Sequence, residues 1–147
     1  MKKIIVVITL TVINVTLLSQ GFQKKSKAER IGIYELGNYY LYKHSADSVT
    51  VYSFTMRDKE YNSNNFIQVI IGNKEETIEF FENFIVTIDS MEKGDQFELG
   101  LPEGNKGFYY NLLGVKTIGI TVGNIGEWGF MNKTVANNML KDMRKEK

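Results

Sequence analysis

The chain has 147 residues, 18 basic against 17 acidic side chains, one histidine and no cysteine. Lack of cysteine excludes a disulfide framework, thiolate chemistry, iron–sulfur clusters and a lipidated N-terminal cysteine, so the fold must rest on an ordinary core. The near balance of charge argues against a nucleic-acid binder, which concentrates basic residues on one face.

Lys2 and Lys3 precede an apolar run over residues 4–18, and Ser19-Gln20-Gly21 follows it. A charged start, an apolar middle and a small-residue exit form the pattern of a secretory signal peptide. The run is 15 residues long and diluted by Thr9, Thr11, Asn14 and Thr16, short of the roughly 20 that a spanning helix needs. Residues 1–21 therefore read as a signal peptide cut after Gly21, with a cut after Ser19 as second choice and an uncleaved anchor as the rival. The expected product is exported to periplasm, outer surface or medium, is not a lipoprotein and keeps no stable membrane anchor. Without the 21 leader residues, 126 of the 147 remain, and loss of two lysines leaves 16 basic against 17 acidic residues, a net charge of −1.

Residues 22–29 are polar, with Lys24, Lys25 and Lys27, and read as a solvated spacer. Residues 30–147 read as a single α+β domain of common size. Residues 30–36 (RIGIYEL) and 39–44 (YYLYKH) are predicted to pair as a hairpin across Gly37-Asn38. A turn at residues 45–48 leads to a strand at 49–56, with Val49, Val51, Ser53 and Thr55 on one face and Thr50, Tyr52, Phe54 and Met56 on the other. Residues 57–65 are a polar loop. The near-continuous apolarity of residues 66–71 (FIQVII) suggests a central strand.

Asn73, with Glu76 three residues on, is a capping-box signal for a helix over residues 74–93, stopped by Gly94. Ile78, Phe81, Ile85 and Ile88 form its apolar stripe, widened by Phe80 and Phe84. Short strands follow at 96–101, 108–113, 115–122 and 127–131, with a turn at 102–107 and a loop at 123–126. Asn132 can cap a last helix over residues 133–145, with Ala136, Leu140 and Met143 on one side, flanked by Val135 and Met139. Short turns between strands imply antiparallel pairing. The expected architecture is an antiparallel sheet of about seven strands, packed on one face by two helices. Trp128 and Phe130 share a strand face and are expected in the core beneath a helix.

Few motifs carry chemistry. His44 lies at a strand end beside Ser45 and Asp47, too close in sequence to converge as a nucleophilic triad; a solvated hairpin is the plainer expectation. One histidine and no cysteine make a zinc site improbable, and no acidic spacing matches a calcium loop. Gly119, Gly123, Gly126 and Gly129 do not match a phosphate loop. No catalytic, cofactor-binding or metal residue is assigned, and no cofactor is expected.

Tyr34, Tyr40, Tyr42 and Tyr52 are the candidate ligand or partner surface, on the expectation that they line one face of the first strands. The reading is a non-catalytic binding module of the cell envelope or exterior, whose partner is an envelope or extracellular protein or a glycan, and not nucleic acid. The alternatives are a dedicated glycan-binding module or a carboxylate-dependent hydrolase using Glu35, Glu98 or Glu127.

Overall fold

Turn chemistry divides the chain into two runs of four strands, each closed by a helix. The computed structural model describes residues 27–59, 65–122 and 127–147. The leader at 1–21, most of the spacer, the middle of the 57–65 loop and the 123–126 loop lie outside them. The strands are β1 (Lys27–Tyr34), β2 (Tyr39–Ala46), β3 (Val49–Arg57) and β4 (Phe66–Gly72), then helix α1 (Lys74–Ser90). The second run is β5 (Gln96–Glu98), β6 (Lys106–Leu112), β7 (Val115–Val122) and β8 (Glu127–Asn132), then helix α2 (Lys133–Lys145). This is an α+β fold. Two four-stranded antiparallel sheets, ordered β1-β2-β3-β4 and β5-β6-β7-β8, stand where one sheet of about seven strands was expected. Among the described residues no helix is long and apolar enough to cross a membrane.

Consecutive strands pair in order, so each sheet is a meander. Asp47, at φ +52°, turns the chain between Ala46 and Val49, which face each other. Leu113 and Gly114, both at positive φ, join β6 to β7, as a two-residue hairpin loop favours. The first hairpin closes through a 3-10 turn at Glu35–Gly37 instead of Gly37-Asn38 alone, so Tyr34 lies opposite Tyr39. β1 starts at Lys27, inside the expected spacer.

Strand alternation then sets what is buried. Leu41, Phe54, Met56 and Val69 of the first sheet, and Ile118, Ile120 and Met131 of the second, are shut off from solvent. Phe81 of α1 and Val135, Ala136, Met139 and Met143 of α2 complete one shared core. The helices lie together on this inner side, with Arg144 on Glu82 (2.5 Å) and Lys133 on Asp89 (2.6 Å).

Three expectations shift. α1 ends at Ser90, one turn before Gly94, because the Asp95 carboxylate accepts the Glu92 N–H at 2.7 Å and Met91 drops into the core. Its buried stripe centres on Phe80, Phe81, Phe84 and Ile88, with Ile78 and Ile85 half-buried at its margin. β4 is a terminal strand, not a central one; Ile67, Val69 and Ile71 face the core while Phe66 packs on Tyr40 across the other face.

The two sheets meet where β3 runs past the start of β2. There the Lys59 N–H donates to the Trp128 carbonyl at 2.9 Å, and the buried Tyr39 hydroxyl donates to the Phe130 carbonyl at 2.7 Å. Gly129 admits the contact: a Cβ there would stand 3.0 Å from the Arg57 carbonyl oxygen and 2.7 Å from Met56 Sδ.

Candidate functional site

The face of the first sheet that turns away from both helices carries Tyr40, Tyr42 and His44 of β2, Ser53, Thr55 and Arg57 of β3, and Phe66 and Gln68 of β4. Cross-strand register places them in rows: Tyr40 beside Thr55 and Gln68, Tyr42 beside Ser53, and Arg57 beside Phe66. Tyr40 meets Tyr42 at 6.2 Å between ring centroids and Phe66 edge-on at 5.4 Å. The Arg30 guanidinium of β1 sits 5.9 Å over the Tyr40 ring. Ile33, opposite Tyr40, is 52% exposed and Phe66 is 42% exposed.

A polar cluster adjoins the rings. His44 Nε2 lies 2.8 Å from Ser53 Oγ, and Gln68 Nε2 lies 2.9 Å from that oxygen and 3.2 Å from His44 Nε2. Burial lowers the His44 pKa from its ordinary value. His44 is therefore tied across three strands and is not the solvated turn residue expected beside Ser45 and Asp47. Thr55 Oγ1, between Tyr40 and Gln68, is buried without a hydrogen-bond partner among the described residues.

The four candidate tyrosines divide between two faces. Tyr40 and Tyr42 are half-buried on the outer face. Tyr34 and Tyr52 are 8% and 3% exposed and belong to the core. The cause is parity: Tyr34 pairs with Tyr39 and Tyr52 with Lys43, and odd-numbered β2 residues point inward. Tyr34 donates to Asp142 Oδ2 at 3.0 Å, and burial, followed by that hydrogen bond, raises its phenol well above the ordinary range. Burial likewise raises Tyr52. Phe66, Gln68 and Ser53 had no motif to mark them; the signal available was the alternation of β3 and β4.

The second sheet repeats the arrangement. Trp128 and Phe130 do share a face, but it is the outer one, because Met131 between strand and helices faces inward. Phe108 and Tyr110 join them: Tyr110 is 5.4 Å from both Trp128 and Phe130, and Phe108 is 5.8 Å from Trp128. The Phe108 ring lies flat on Gly119, where any Cβ would come within 2.2 Å of it. Lys59 carries its ammonium 4.7 Å from the Phe130 ring centroid, beside the sheet junction.

Two of the three carboxylates considered for hydrolysis stand apart. Glu98 is on β5 and Glu127 on β8, terminal strands with two others between them, a separation of about 14 Å from the usual strand spacing. Glycosidases need a far closer pair. Glu35 lies in the first turn, not on a strand, and its Oε1 accepts from Asn132 Nδ2 at 2.6 Å. Among the described residues no three His, Asp or Glu side chains cluster as metal ligands would. No family model matches the chain, and no curated protein or solved structure is significantly similar to it.

Proposed function

We propose that this chain is an exported, non-catalytic binding module that engages an envelope or extracellular protein through the outer face of its first sheet. The observation that supports the reading is the contiguous set of Tyr40, Tyr42 and Phe66 rings, flanked by exposed Ile33, on a sheet face that neither helix covers. Contiguous exposed apolar surface is a mark of interaction sites, and tyrosine and arginine are the residue types that dominate binding hot spots. The apolar flank favours a protein over a glycan: a sugar platform needs accessible free polar groups beside its rings, whereas His44, Ser53 and Gln68 already satisfy one another and the unpartnered Thr55 Oγ1 is buried. Export rests on the pattern of Lys2, Lys3 and the apolar run after them.

The test is a crosslinked pull-down of the native protein read by mass spectrometry, with its N-terminal peptide scored in the same run. A near-stoichiometric protein partner, an N-terminus at Phe22 and capture reduced about tenfold or more by Tyr40→Ala with Phe66→Ala are expected. Undiminished capture by that double variant would refute the assigned face, and an intact Met1 end would refute cleavage of the leader.

A further inference from the structure

On the helix side of the molecule a cleft of about 500 Å³ opens between α1 and the segment 97–102 that follows from β5. Its volume falls within the range of ligand sites. The floor is apolar, built from Phe80 and Phe84 of α1, Phe97 of β5 and Leu101. The rim is acidic: Glu76 and Glu79 stand on one wall and Glu98 on the other, and among the described residues none that is basic lines the cleft. Glu76 is engaged at the helix cap, where its Oε2 accepts from the Asn73 N–H. Glu79 and Glu98 form no ion pair among the described residues, whereas Glu82, Asp89, Asp142 and Glu146 all do.

The strand at the rim is also incomplete. β5 ends its sheet. Tyr109 N–H bonds to the Asp95 carbonyl and Leu99 N–H to the Asn105 carbonyl, which turns Asp95, Phe97 and Leu99 toward β6. In an antiparallel ladder the intervening residues, Gln96 and Glu98, then present their amide and carbonyl groups to the open edge.

We propose that this cleft binds an extended segment of a partner protein carrying apolar side chains flanked by lysine or arginine. The apolar group seats on Phe80, Phe84 and Phe97, the cations meet Glu79 and Glu98, and the segment's backbone pairs with Gln96 and Glu98, as in strand addition to a sheet edge. The charge of the rim selects the occupant: an acidic segment would face unpaired carboxylates on both walls. This site lies on the opposite side of the molecule from Tyr40 and stands independently of the function proposed for that face.

The probe is a short fluorescein-labelled peptide of alternating lysine and valine, titrated with the purified protein by fluorescence anisotropy. The lysine peptide is expected to bind, its glutamate counterpart not, and the Gln96 and Glu98 amide signals are expected to move in nitrogen-15 spectra. Glu79→Gln with Glu98→Gln should weaken binding about tenfold, roughly threefold for each exposed pair. Asn83→Lys, an exposed cleft position on α1, should weaken it similarly, while Tyr40→Ala should leave it unchanged. Equal binding of both peptides, or wild-type affinity in both cleft variants, would overturn the proposal. Binding that leaves the two amide signals still would overturn strand addition.

Discussion

His44 is partly shielded from water, which disfavours its charged form. The Gln68 amide donates to Ser53 Oγ at 2.9 Å, and His44 Nε2 lies 2.8 Å from the same oxygen. Burial disfavours the charged ring, so the folded pKa lies below the ordinary value. A histidine with a lowered folded pKa leaves the native state binding fewer protons than the unfolded chain. Stability is then unaffected well above about pH 6.5 and declines as pH falls through that value toward the folded pKa. Urea midpoints at about pH 7.5 and about pH 5 should therefore differ more for the wild type than for His44→Gln, whose carboxylates titrate alike. Equal differences would show that the ring does not sense burial. His44 was legible as a residue but not as a site, since its partners come from strands 9 and 24 residues away in sequence.

Both helices begin at an asparagine at a strand's end, Asn73 directly after β4 and Asn132 the last residue of β8. Asn73 Oδ1 accepts from the Glu76 N–H at 2.9 Å, and Asn132 Oδ1 accepts from the Val135 N–H at the same distance. Removing such a cap costs about 1 kcal/mol. Asn73→Ala should lose about that much in urea unfolding, and Asn132→Ala more, because its Nδ2 also holds Glu35 Oε1. Equal losses would mean that the Glu35 contact adds nothing. These helix starts were readable because a cap is a local device, and all five apolar positions assigned to α2 are buried because a helical stripe needs no knowledge of its neighbours. The end of α1 was not readable: Asp95 competes for the Glu92 amide through a turn that Gly94 alone does not announce. Nor was the terminal place of β4, since an apolar run such as 66–71 records how much of a strand is covered and not which strands pair with it. Tyr34 and Tyr52 were misgrouped with Tyr40 and Tyr42 because facing depends on cross-strand register, which follows the turn at Glu35–Gly37 for Tyr34 and the turn at Asp47 for Tyr52.

At the scale of the molecule, four antiparallel strands followed by an asparagine-capped helix occur twice, although the two halves share no repeat in sequence. Among the described residues the halves are joined helix against helix through the core, β1 against α2 through Tyr34 and Asp142, and the β2–β3 end of the first sheet against β8 at the sheet junction. The junction rests on Tyr39 and Gly129. Tyr39 is 4% exposed, and burial raises its phenol far above the ordinary range, so the hydroxyl remains a donor to the Phe130 carbonyl at any working pH. Tyr39→Phe leaves that carbonyl without its partner, a loss of about 1–3 kcal/mol. Gly129→Ala drives a methyl group at Met56 Sδ, which can rotate away, and at the Arg57 carbonyl, which can yield only by moving the backbone that carries the Lys59–Trp128 bond. Overpacking of this kind costs about 1–3 kcal/mol. Because both substitutions open the same contact, their effects should overlap, and the double variant should be less destabilised than the sum by at least about 0.5 kcal/mol. Chemical unfolding of the four proteins, followed by Trp128 fluorescence and by far-ultraviolet circular dichroism, measures that coupling. Additive losses would mean that Tyr39 and Gly129 stabilise their own sheets separately, leaving the shared helix layer as what makes the two halves fold as one.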